Sequence, residues 1–92
     1  MLRIEKLSDP TSIILKLSGW IQEEYLPLLQ AEIQACEGTP KLDLADVKLV
    51  DRSSVRFLIR WESEGIQLLH GSLYIREWIS RERSKHHRTG IE

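Results

Sequence analysis

Leu2 to Leu7 reads as a first strand, and Ser8-Asp9-Pro10-Thr11-Ser12 is made of turn residues. Ile13, Leu15 and Leu17 fall on one side of the chain, which predicts a second strand paired with the first as a hairpin. From Glu23 to Cys36 the period becomes helical, with Tyr25, Leu29, Ile33 and Cys36 on one stripe and Leu26 beside them. Pro27 is early enough to be tolerated in the first turn, and Gly38-Thr39-Pro40 stops the helix. Leu42 to Val50 forms a third strand, Ser53 to Glu64 a second helix closed by Gly65, Ile66 to Leu69 a fourth strand and Ser72 to Arg83 a third helix. A hairpin followed by strands alternating with helices predicts an α/β domain, a mixed four-stranded sheet with helices packed on it and right-handed crossovers. Residues 1–83 make that domain, and 84–92 are expected to be a basic flexible tail.

The switch from strand to helix at Asp51-Arg52-Ser53-Ser54 is the most informative point of the chain. A serine there can cap the helix, where free N–H groups and the helix dipole favour an anion. The hydroxyl is also accessible to a kinase, and a phosphate would transform the local surface. At 100° per residue, Val55, Leu58, Ile59 and Ile66 share one arc facing the sheet, while Arg52, Ser53, Arg56 and Arg60 share the opposite arc. Arg56 and Arg60 are thereby placed to pair a phosphate on Ser53, although such arginines are commonly only a solvated face. Phe57 and Trp61 sit on a shoulder between the arcs. They either widen the core stripe or present an aromatic surface to a partner.

These residues carry a family resemblance. Leu42-Asp43-Leu44-Ala45-Asp46-Val47 and then Leu49-Val50-Asp51-Arg52-Ser53-Ser54-Val55 resemble the central motif of STAS domains, the fold of bacterial anti-sigma factor antagonists. Leu17-Ser18-Gly19-Trp20-Ile21 is similar to the family's early Leu-x-Gly-x-apolar strand, and the order of elements matches from about Leu2 to Ile79. The family pattern is an apolar residue, then Asp, Ser, Ser, Gly, Leu. Arg52 here replaces the first serine, and Ser54 stands where glycine is usual. The chain also ends before the last strand and helix that longer members carry. The resemblance implies phosphorylation at Ser53; Ser54 is the runner-up acceptor, and Asp51, Arg52, Arg56 and Arg60 are read beside it as the residues supporting the switch motif.

Composition narrows the remaining classes. With 92 residues, 41% hydrophobic and 29% charged, the chain fits one small globular domain. A net charge of −1 gives no push toward nucleic acid or an anionic membrane. No apolar run is long enough to span a bilayer, and the first residues lack a signal-peptide core, so a cytoplasmic location without membrane insertion is expected. Cys36 is the single cysteine, which excludes an internal disulfide or a cysteine-based zinc cluster. Asp43, Asp46 and Asp51 are spread along the third strand with no histidine nearby, so acid–base or metal chemistry has little support. His70 reads as a turn residue, and His86-His87 as part of the frayed basic tail.

The residues therefore predict a non-enzymatic domain with no cofactor, no metal site and no catalytic residues, and the resemblance implies a bacterial signalling protein. Its resemblance implies a role in transcription regulation, as a phosphoprotein that binds an anti-sigma factor or serine kinase through a surface including Phe57 and Trp61. Two alternatives stand beside it: a phosphorylation-independent STAS adaptor docking on a lipid-transport ATPase, and a nucleotide- or anion-binding module using Arg56 and Arg60. A homodimer is left open, through a sheet edge or an apolar patch that the missing C-terminal elements would leave uncovered.

Overall fold

The computed structural model describes residues 2–8 and 10–91, with side chains through Ser84. Strands β1 (Leu2–Ser8), β2 (Ile13–Ile21), β3 (Lys41–Val50) and β4 (Gln67–Leu69) form one sheet in the order β1-β2-β3-β4. The hairpin β1–β2 is antiparallel, whereas β2–β3 and β3–β4 are parallel. Helices α1 (Leu26–Gln34), α2 (Arg52–Ser63) and α3 (Leu73–Ile91) follow β2, β3 and β4 in turn. The expected α/β domain with a mixed four-stranded sheet and three helices is the fold of this chain.

Alternation builds the sheet's buried face. Leu15, Leu17 and Ile21 of β2 and Leu42, Leu44, Val47 and Val50 of β3 are buried, and Leu26, Leu29, Val55, Leu58 and Ile75 close the core from the helices. Two register shifts interrupt β2–β3 pairing, one between Lys16 and Ser18 and one between Gly19 and Trp20. Each gives β3 an extra residue, so β3 loses strict alternation while keeping Val47 and Val50 inward. At the far end of this pairing Trp20 and Leu49 lie opposite each other, each a little under half exposed.

Several boundaries differ from the sequence reading for local reasons. β2 continues four residues past Leu17, because parallel pairing with β3 extends to Ile21. The first helix does not run from Glu23 to Cys36. Pro27 has no N–H to close an α-turn on the Glu23 carbonyl, and the Leu26 N–H takes that oxygen instead, which tightens Glu23–Tyr25 into a 3-10 turn. At the C-terminus of α2, Gly65 (φ 103°) lets its N–H reach the Glu62 carbonyl and the Ile66 N–H reach the Trp61 carbonyl. This left-handed cap also brings the chain back toward the helix, and both Trp61 and Ile66 are buried. His70 adopts φ 58° and ends β4 after three residues. Helix α3 continues beyond Arg83 to Ile91, and the side chains of most of the expected tail, His86 and His87 included, lie outside the described residues. No helix among the described residues is long and apolar enough to cross a membrane.

Candidate functional site at the start of helix α2

Parallel pairing sets the ends of β2 and β3 side by side, and the candidate site is the knot between them. The Asp51 N–H bonds the Ile21 carbonyl at 3.2 Å, and the Ser54 hydroxyl donates to the same carbonyl at 2.8 Å. Asp51, with φ −102° and ψ 176°, is the N-cap of α2. One of its carboxylate oxygens accepts from the Ser54 N–H at 2.8 Å, and the other from the Glu23 N–H at 2.8 Å. A single side chain thus caps α2 and also anchors the turn that opens the segment after β2. Burial tends to raise the Asp51 pKa, but the hydrogen bonds from Ser54 and Glu23 outweigh it and hold the carboxyl below its ordinary value.

Two neighbouring serines have separate fates here. Ser54 is fully buried and its hydroxyl is engaged, so it is not presented to a kinase and the runner-up acceptor is corrected. The β-carbon that stood out against the family's glycine is accommodated by pointing inward, where its hydroxyl finds the Ile21 carbonyl. Ser53 is half-buried rather than fully exposed, and it is not the cap. Its hydroxyl makes no hydrogen bond among the described residues, and it sits in the first turn of a twelve-residue helix.

The inward arc of α2 is Ser54, Val55, Leu58 and Trp61, all buried. Ile59 is left half-buried, so the arc is rotated from the expected Val55–Ile59 direction toward Trp61. Trp61 is only 4% exposed and belongs to the core, which corrects its assignment to a partner surface. Phe57 is half-buried against the core, its ring centroid 5.4 Å from that of Trp61. Trp61 therefore supports Phe57, and of the two rings it is Phe57, one turn along the helix from Ser53, that retains exposed surface.

The arginines do not converge on Ser53. Arg52 Nε donates to Glu82 Oε1 at 3.0 Å, and Arg56 Nε stands 3.8 Å from the same oxygen. Arg60 pairs with Glu64 one turn on, at 3.5 Å. Glu82 is 6% exposed while the Arg52 and Arg56 side chains are largely in solvent. Two cations compensate one buried carboxylate and tie α2 to α3. Sequence reasoning missed Glu82, yet a signal existed: Ile75, Ile79 and Glu82 fall on one helical stripe, and an acid on an apolar stripe requires a partner. Arg83 and Glu62 form a second bridge between these helices.

The carboxylates are likewise dispersed. Asp43 accepts from the Ala45 N–H at 2.9 Å, Asp46 pairs with Lys16 at 3.4 Å, and Asp51 caps the helix. Among the described residues no group of three or more His, Cys, Asp or Glu side chains could hold a metal ion. An open cleft of about 420 Å³ lies between α2, β4 and α3, with Leu44, Leu68, Ile75 and Ile79 as apolar lining and His70 and Arg76 also at its wall.

No protein-family model matches the chain, and no curated protein matches it. Among solved structures, it is similar to an uncharacterized protein of the DUF3478 family with a SpoIIAA-like fold from Shewanella loihica. The two share 13% sequence identity with a TM-score of 0.46, over 92% of this chain and 79% of that one.

Proposed function

We propose that this chain is a non-enzymatic, protein-binding regulatory domain of STAS type, whose docking surface centres on the start of α2 and is switched by phosphorylation of Ser53. The observation that carries this reading is the contrast within one turn of helix. Asp51 and Ser54 spend every polar group on holding β2, β3 and α2 together, while the Ser53 hydroxyl is left without a hydrogen bond among the described residues. Phe57 adds apolar surface one turn along on the same side. A phosphate at Ser53 would bring roughly −2 charge to that surface, which a packed interface cannot accept without a costly desolvation. By the resemblance, the partner is an anti-sigma factor with serine-kinase activity, and the domain acts in the bacterial cytoplasm on transcription.

One observation favours a second reading. Arg52 and Arg56 are already engaged by Glu82, so a phosphate on Ser53 would have to compete for its nearest cations. That arrangement suits an adaptor that docks on its partner, such as a lipid-transport ATPase, without being phosphorylated. Affinity capture from native lysate, with mass spectrometry of both the partner and the captured chain, separates the two. Recovery of an anti-sigma kinase together with phosphate on Ser53 supports the switch. Recovery of a transporter ATPase with Ser53 unmodified overturns it in favour of the adaptor.

A further inference from the structure

β1 is an open edge. It pairs with β2 along its whole length, from Leu2 opposite Gly19 to Ser8 opposite Ile13, and among the described residues no strand lies on its other side. Seven residues of backbone therefore offer alternate N–H and C=O groups outward, against three on the opposite edge at β4. Charge is the ordinary protection of such an edge. β1 carries charge, but in an order that complements itself. Arg3, Glu5 and Leu7 point to the outer face of the sheet, while Leu2, Ile4 and Lys6 share the face of Leu15 and Leu17. Arg3, Glu5 and Lys6 join none of the ion pairs among the described residues. Leu2 and Ile4 sit half-buried at the margin of the core, on the edge strand of the sheet.

We propose that β1 pairs with β1 of a second copy, antiparallel, about a two-fold axis through Ile4, and joins the two sheets into one. An axis perpendicular to the sheet keeps both helical layers on the same side and must place one residue opposite its own equivalent. With Ile4 on the axis, Arg3 of each copy faces Glu5 of the other, giving two ion pairs on the outer face. On the helical face Ile4 meets Ile4, and the Lys6 stem covers Leu2 while its ammonium reaches water. Moving the axis by one residue sets Arg3 against Arg3 or Glu5 against Glu5, so like charges directly opposite disfavour both neighbouring registers. The proposal is independent of any event at Ser53, which lies on α2 after β3.

Sedimentation of the full chain over a concentration series tests it, with circular dichroism to confirm folding of each variant. The wild type should show a reversible monomer–dimer equilibrium. Arg3→Glu and Glu5→Arg should each weaken it by about tenfold or more, because each turns both cross-strand pairs repulsive. An equimolar mixture of those two variants should regain the dimer as a heterodimer, since every pair across the axis is again of opposite sign. The double variant Arg3→Glu/Glu5→Arg should also dimerise with itself. A wild type that stays monomeric throughout, a dimer indifferent to both substitutions, or a mixture that remains monomeric overturns the proposal.

Discussion

On the side of α2 that faces the sheet, Ser54, Val55, Leu58 and Trp61 are buried, and the hydroxyl among them is spent on the Ile21 carbonyl. On the other side, Arg52, Arg56 and Arg60 reach carboxylates through largely solvated side chains, and Ser53 makes no side-chain hydrogen bond among the described residues. The first side is fixed by burial, which no rotation of a side chain can undo without leaving a cavity or an orphaned polar group. The second is held by exposed charges that can exchange partners at little cost. A surface meant to be switched belongs on the second side, and its position is set by the first.

The largest expected effect breaks the inner side. Trp61→Ala should cost about 3–5 kcal/mol in urea denaturation, as for other buried aromatics. Phe57→Ala, half-exposed, should cost about half as much. Equal losses would mean that the two rings share one environment, and the distinction between the two sides of the helix would have to be redrawn.

Next comes the knot itself. Asp51→Ala removes the acceptor for two N–H groups and should cost about 1–3 kcal/mol. Because the folded-state pKa is lowered, this stability is fully present above the ordinary value of 3.8 and is lost as pH falls through the lower folded value. The gap between wild type and Asp51→Ala should thus be flat from about pH 5 to about pH 8 and close in stronger acid. A gap that instead closes toward neutral pH would place the carboxyl in a different environment. Ser54→Ala should cost somewhat less, about 1–2 kcal/mol, because the Ile21 carbonyl keeps its bond from the Asp51 N–H.

Much of this is legible in the amino-acid sequence. The hairpin, the two changes from period 2 to period 3.6, and the Gly65 and His70 punctuation place every strand and helix in order, because local sterics decide them. Boundaries failed where pairing or one missing donor decided: β2 lengthened along β3, and Pro27 converted a helical turn to 3-10. Within the site, the helix start was legible to within a residue, but the assignment of roles was not. Which of two adjacent serines turns inward depends on the Ile21 carbonyl, 33 positions away in the chain. Trp61 lay on a shoulder that a helical wheel leaves ambiguous, until the Gly65 cap folds Ile66 back and both are buried. The arginines were placed on the correct arc, yet their partner, Glu82, lies on another helix. Long-range contacts, then, decide the roles that short-range pattern leaves open.

The smallest change in stability, and the sharpest test of the outer side, is at Ser53. Since Asp51 is the N-cap, Ser53 contributes no cap, and Ser53→Ala should alter stability by no more than about 0.5 kcal/mol. Ser53→Asp should be neutral or stabilising by a few tenths, because an acid in the first turn complements the helix dipole. Partner binding should part the two variants. On the proposed switch, Ser53→Ala should bind as wild type and resist inactivation by a kinase, while Ser53→Asp should bind about tenfold more weakly or worse, a difference of roughly 1.4 kcal/mol or more. The aspartate carries about half the charge of a phosphate, so phosphorylated protein should be weaker still. Titration calorimetry on the two variants, beside their melting curves, reads both quantities on the same samples. Loss of binding at unchanged stability would locate the switch on the outer side of α2. If Ser53→Asp binds as tightly as wild type, the outer side is a fixed docking surface, and the adaptor reading follows from the Arg52–Glu82–Arg56 bridge that already occupies its charges.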